Sequence, residues 1–290
     1  MRNLDRFGES LREWRARRGL SQMELGLRAE VSSRHISFIE TGRSRPSRSM
    51  VMRLAGSLDL PLREQNAMLL GAGFAPHYGE RPLSDAEMSD ARRALRIILE
   101  AREPYPAFAL DRTWNLVLWN RPQEMLLRDV VPAGGTLAEI NALDLVFQPG
   151  RVREQIVNWP VVAAAVLRRL RRQMARLGPD ERLAAMLKKV LEAPGVAALD
   201  AAADRAADRD TAPTILVPLR MNDGQRVLSW FTTLEVFGAT GEATLEELVV
   251  ESFYPADDAT RAFVEEMVFP PAAMRQWMNR AAPGLHQNRA

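Results

Sequence analysis

The chain has 290 residues, 47% of them hydrophobic and 26% charged, with a formal net charge of +2. That length suits two domains, and the composition suits a packed core rather than a disordered chain. The absence of cysteine excludes a disulfide framework, a thiolate metal site and a cysteine nucleophile. The three histidines, His35, His77 and His286, are too dispersed to suggest a histidine metal site. The first residues carry no apolar signal region, and the longest apolar stretch, Trp159 to Leu167, contains Pro160. It falls far short of the roughly 20 residues that span a bilayer, so a soluble, cytoplasmic protein is expected. Charge is unevenly placed: residues 1–75 carry 13 Arg against 8 acidic residues, while the rest of the chain is mildly acidic. A basic head on an acidic body suggests an anionic partner for the head. Lysine occurs only at Lys188 and Lys189. Arg suits bidentate phosphate and guanine contacts, although a GC-rich genome also favours it.

In chain order, residues 9–18 read as an amphipathic helix with Leu11 and Trp14 on its apolar side, ended by Gly19. Ser21 and Glu24 form a capping box that opens a short helix to about Arg28. Ser32 or Ser33 caps a third helix to about Glu40, where Gly42 and Pro46 stop it. Helices follow at about 48–59 and 62–71. Residues 72–82 read as a linker, and Ser84 with Glu87 as a capping box for a helix over 85–102. Its apolar stripe is Met88, Ala91, Leu95, Ile98 and Leu99, a core face or a dimer contact. Residues 106–120 alternate across a turn at Asp111-Arg112-Thr113 and read as a β-hairpin. Helical patterns return at 121–129, 151–175 and 180–192, with a weak Ala- and Asp-rich one at 196–208. Strands are expected at Thr214–Met221, Gln225–Phe237 and Leu245–Phe253, the first two joined at Asn222-Asp223-Gly224. A last helix covers about 257–268.

Two short helices joined by a tight turn can lay the second in a major groove. Gly26 and Ala29 are small where such helices must approach, and Val31, Ile36 and Ile39 supply the apolar side. The run Leu20-Ser21-Gln22-Met23-Glu24-Leu25-Gly26, followed by Val31 through Ser47, resembles the XRE family of phage-repressor and Cro-like helix-turn-helix domains. The resemblance implies a five-helix, lambda-repressor-like fold over residues 1–75 and double-stranded operator DNA as partner. It implies that Gln22 touches the DNA backbone at the start of the second helix. It implies that Ser33, Arg34 and Ser37, beside Ser32, face bases, and that the loop holding Arg43 and Arg45 lies along phosphates. Glu40 is expected to pair with an Arg or cap within the domain rather than read bases.

Residues 105–270 give a hairpin, helices, then three antiparallel strands, an α+β order. Tyr105 through Trp114, Leu118-Trp119-Asn120, Asn141, Leu145-Val146-Phe147, Asn158-Trp159 and Glu251 through Asp257 resemble the MmyB-like regulators. In these an XRE domain precedes a PAS-like ligand-binding domain. The stretch 194–213 departs from that pattern. The family resembles fatty-acid-binding sensors, which implies a long-chain acyl ligand and no other cofactor. The residues exclude much else. There is no Cys, and the only His of this region is His286, which disfavours a haem or thiol-adduct flavin sensor. His-Glu-x-x-His, a Gly-rich phosphate loop and a Ser-His-Asp set are all missing, so no enzyme is expected. Phe108, Leu110, Trp114, Leu116, Leu118, Phe147, Trp159, Val162, Val166, Trp230 and Phe231 line a cavity or simply fill the core. Arg151, Arg153, Asn158 and Arg226 are candidates for a carboxylate anchor.

The expectation is a regulator with a helix-turn-helix domain at 1–75, a linker and amphipathic helix at 76–104, a PAS-like domain at 105–270 and a tail at 271–290. It acts as a homodimer, because one helix-turn-helix reads only a half-site. The rival readings are a protein-interaction module in place of the ligand domain, or an enzyme acting on an acyl substrate.

Overall fold

The computed structural model describes residues 2–131, 135–200, 218–238 and 241–268. Contacts divide the chain into two compact units, and neither is contiguous. The first takes in the chain to Ala91, Arg168–Leu187 and Val236–Leu248. The second takes in Arg92–Leu167, Lys188–Glu235 and the described residues from Val249.

The first unit is built on five helices: α1 (Arg2–Arg17), α2 (Gln22–Arg28), α3 (Ser33–Glu40), α4 (Arg48–Ser57) and α5 (Leu62–Gly71). Helix α1 starts at Arg2 rather than at residue 9, because Phe7, Leu11 and Trp14 share one buried face. Gly8 sits inside it for a steric reason: a Cβ there would lie 2.6 Å from the Glu40 carbonyl oxygen. Side-chain caps open the next three helices. Ser21 accepts from the Glu24 amide within a full capping box, Ser32 from that of His35 and Ser47 from that of Met50. The core gathers Phe7, Leu11, Leu25, Ile36, Ile39, Leu54 and Leu69, all essentially buried.

The segment read as a linker is tied down. Asn66 is fully buried on α5; its Oδ1 accepts from the amides of His77 and Tyr78, and its Nδ2 donates to the Tyr78 carbonyl and to Glu80. The Ser84–Glu87 capping box does not form. Asp85 caps a 3-10 turn, Ala86–Met88, and α6 (Ser89–Glu100) follows. Of the expected stripe, Met88, Leu95 and Leu99 are buried, and Ala91 and Ile98 half-buried.

The second unit holds a five-stranded antiparallel sheet in the order β2-β1-β5-β4-β3. Its strands are β1 (Ala107–Leu110), β2 (Leu116–Trp119), β3 (Leu219–Asn222), β4 (Val227–Val236) and β5 (Val249–Pro255). Strand β1 pairs with β2 and, across more than 140 residues of chain, with β5, Phe108 opposite Glu251. All four β1 residues are buried, so the strand is covered on both faces. Between β2 and β3 the described helices are α7 (Arg121–Leu127), α8 (Ala142–Phe147), α9 (Arg151–Gln155), α10 (Trp159–Leu177) and α11 (Glu181–Leu191). The helix expected over 151–175 therefore breaks. Ile156 pairs with Met221, and the Val157 amide donates to the Arg220 carbonyl, so this stretch extends the edge of β3. The start of the expected strand at 214–217, the later part of the weak helix at 196–208 and the tail after Pro270 lie outside the described residues. The strand expected from Leu245 opens instead with α12 (Ala243–Glu246), a four-residue helix. Helix α13 (Asp258–Val268) closes the unit. Its Val264 and Val268 pack with Leu228 and Trp230 of β4.

Candidate nucleic-acid interface and ligand domain

Gly26 fixes the crossing of α2 and α3, since a Cβ on it would stand 2.7 Å from the Val31 carbonyl oxygen. With Ile36 and Ile39 buried, Ser33 and Arg34 are left exposed on the first turn of α3, and Ser37 half-buried one turn on. The Arg34 guanidinium rests 5.2 Å from the centre of the Phe38 ring. Arg43 and Arg45 are exposed in the loop to α4. Among the described residues, no ion pair takes up Arg34, Arg43 or Arg45. These five side chains form one candidate polar and cationic surface. Ser32 contributes as the cap of α3.

Gln22 is partly spent. Its Nε2 donates to Glu40 Oε2 at 2.8 Å. Glu40 is the polar centre of this unit: its side chain is fully buried, and Arg15 grips it bidentately, Nε to Oε1 at 2.6 Å and Nη2 to Oε2 at 3.0 Å. Burial opposes the ionisation of Glu40. The hydrogen bonds from Arg15 and Gln22 and the charges of Arg15 and Arg12 outweigh it and hold the carboxyl below its ordinary range. The same pair raises Arg15, chiefly through the hydrogen bond to Glu40. The expected structural pairing of Glu40 is thus present. It ties the end of α3 to α1 and the first residue of α2, and so orients the exposed face of α3.

In the second unit the polar candidates are engaged by the chain itself. Arg151 pairs with Asp129 at 3.0 Å in an exposed bridge. Asn158 donates from Nδ2 to the Pro218 carbonyl and accepts at Oδ1 from the Arg220 amide, acting as one more rung on β3. Arg153 donates to the carbonyls of Phe147 and Pro194 and stacks 4.1 Å from the centre of the Trp159 ring. Arg226 pairs with Glu266 at 2.6 Å and lies over Phe263.

The apolar candidates divide between the sheet's faces. Cross-strand partners share a face, so Phe108 goes with Trp119, and Leu110 with Leu116. Phe253 of β5 meets Phe108 on that side, at a ring separation of 5.5 Å. Leu118 pairs with Ala109 on the opposite face, and a register shift between Ala109 and Leu110 breaks the alternation that would otherwise put Leu116 beside it. Trp230 packs edge-on against Phe263 of α13, while Phe231, next in β4, points the other way and stacks on Tyr254. Phe147 is fully buried at the end of α8, and the Trp159 indole donates to the carbonyl of its neighbour Val146. Val162 is buried and Val166 half-buried, one turn apart on α10. The set therefore cannot line a single wall. Trp114 is buried with φ of +66°, a left-handed conformation rare for a bulky side chain. The turn around it is held by Asp111, whose carboxylate accepts from the amides of Thr113 and Asn115, and by Asn141, which donates to the Thr113 carbonyl.

Sequence reasoning passed over the residues that do most of this fastening. Asn120 is buried and bonds to the backbone of Leu99, Tyr105, Ala107 and Gln123. It stands in the quoted Leu118-Trp119-Asn120 run, and an Asn directly before Arg-Pro is a readable helix cap. No local signal marks Asn66 or the acidic run at 242–247.

A model of helix-turn-helix domains matches residues 6–68, and that of the MmyB-like transcription regulator ligand binding domain matches residues 91–267. Both describe parts of regulators rather than enzymes. No curated protein matches the chain. Among the described residues, no helix is long and apolar enough to cross a membrane.

Proposed function

The chain belongs to the MmyB-like transcription regulators, a DNA-binding protein with a ligand-binding C-terminal domain, and we propose that it works as a homodimeric operator-binding switch for a long-chain fatty acid. The DNA half of this reading rests on one observation: Ser33, Arg34, Arg43 and Arg45 are exposed beside the half-buried Ser37 on a basic domain. Arg34 suits a guanine edge, and the loop arginines suit phosphates. Two such heads in one dimer read two half-sites.

The ligand half rests on the engagement of Arg151, Arg153, Asn158 and Arg226 by the protein's own groups. A ligand held in such a domain draws its affinity from apolar contact, about 0.8 kcal/mol for each methylene buried. A chain of a dozen carbons suits that economy of polar groups. The five-stranded antiparallel sheet with flanking helices supports a PAS-like description of the domain. The ligand shifts operator affinity by favouring one arrangement of the dimer's heads.

The test is solvent extraction of the purified protein followed by mass spectrometry. A near-stoichiometric fatty acid is the expected result. An empty extract, with no thermal stabilisation by added palmitate, overturns the lipid reading and leaves a regulator whose second domain binds another protein.

A further inference from the structure

Residues 241–248 fall within the matched ligand-binding domain, yet they pack in the unit of the DNA-binding helices. They follow β4 and lead directly into β5, and four separate fastenings hold them. The backbone fastening is a bridge in which the Gly79 amide donates to the Gly241 carbonyl at 3.0 Å and the Ala243 amide to the Gly79 carbonyl at 2.8 Å. Glu242 pairs with Arg81 at 2.6 Å, and a Cβ on Gly79 would fall on its carboxylate. Glu246 Oε2 accepts from the Leu62 amide at 2.8 Å. That amide opens α5, where Pro61 supplies no side-chain cap. Glu247 takes a bidentate grip from Arg63, at 2.8 and 2.9 Å, with only 6% of its side chain exposed. Ala243 and Leu248 are buried alongside.

This arrangement exceeds what closing a loop requires. Three carboxylates from a connection between two strands are matched one by one to Arg81, the start of α5 and Arg63. Helix α5 packs on α1 and α4, whereas the exposed polar face described above is on α3 and the loop after it. The fastenings thus take hold of the DNA-binding helices without covering that face.

We propose that residues 241–247 are a strap through which the ligand-binding domain sets the pose of the DNA-binding helices, by gripping or releasing the start of α5. This rests on the reading above that a ligand modulates operator binding. The strap needs no change in the reading helix. A shift in β5 or β4 pulls on a segment whose carboxylates are already seated on α5.

The experiment uses the full chain, palmitate as probe, and a duplex selected from a random pool by the wild-type protein. Glu246→Ala/Glu247→Ala is compared with wild type for palmitate affinity, for operator Kd with and without palmitate, and for hydrogen exchange at the Leu62 amide. The variant is expected to bind palmitate as wild type does and to lose most of the palmitate effect on operator Kd. Its Leu62 amide is expected to exchange about tenfold faster or more. Unchanged protection at Leu62 overturns the docking itself. A free Leu62 amide with an undiminished palmitate effect overturns the strap as the transmitting element. If palmitate binds neither protein, the lipid reading falls alone. The strap then stands if the ligand-free variant's operator Kd differs from wild type by about fivefold or more, and falls if the two agree. Should the double variant fail to fold, Glu242→Gln, which loosens only the half-exposed Arg81 arm, is expected to give a partial loss of the palmitate effect; a full wild-type response overturns the proposal.

Discussion

The two units use polar side chains in opposite ways. In the helical unit Glu40 and Asn66 are sealed inside with every visible partner in place, while Ser33, Arg34, Arg43 and Arg45 are turned outward. In the sheet unit the residues that looked available, Arg151, Asn158 and Arg226, are bound to Asp129, to the β3 backbone and to Glu266. Residue type marks what a side chain is able to bind, but only the fold decides whether that capacity has already been used. In the proposed function the helical unit meets its partner with side chains held in reserve, and the sheet unit with the apolar surface that remains.

The strongest way to break this comparison is at Glu40. Removing one partner of a buried pair leaves the other charged and uncompensated, so Glu40→Ala is expected to cost about 3–5 kcal/mol in urea unfolding. Because Glu40 titrates below its ordinary value of 4.5, its stabilisation is complete above that pH and is lost as pH falls through the depressed folded value. The stability gap between wild type and Glu40→Gln is therefore expected to narrow in acid; a gap that stays constant from pH 7 to pH 3 refutes this account of the pair. Asn158→Ala is expected to cost only about 1 kcal/mol, because water can reach the two exposed backbone groups that it frees. It should leave palmitate affinity unchanged, and a large loss of affinity at intact stability returns Asn158 to the role of ligand anchor. Arg34→Ala is expected to weaken selected-operator binding by about 1–3 kcal/mol. An equal loss on random DNA assigns Arg34 to phosphates. The smallest effect sharpens the contrast within one unit: Ser47→Ala, a helix cap, is expected to cost about 1 kcal/mol of stability. Ser33→Ala should leave stability alone and alter operator binding.

The helical unit was legible because its signals are local. Ser21 with Glu24, Ser32, and Gly42 announce their helices within four residues, and each boundary held to within a residue or two. The start of α1 was placed too late for the opposite reason: Gly8 is accommodated inside the helix by the crossing chain at Glu40, which no local signal shows. The hairpin at Asp111 was equally readable, since the turn closes on its own carboxylate. What stayed hidden were features made by distant chain. Asn158 ends a helical pattern only because β3 arrives sixty residues later, and the division of Phe108 from Leu118 requires the register with β2. The strap was invisible on the same grounds, its Glu246 and Leu62 lying 184 residues apart.

Gly178, in the turn between α10 and α11, has φ of +80° and sits so close to Trp14 that a Cβ would come within 2.6 Å of the indole. A stretch distant in the chain is therefore shaped to one aromatic ring of α1, just as the strap is shaped to α5. Regulators are commonly imagined as interchangeable parts, a reading head spliced to whichever sensor selection favours. Here a single crossover anywhere between residues 75 and 105 would deliver a head stripped of the surfaces that back its first and last helices. Successful descendants of such an exchange must inherit three matched stretches of sequence together.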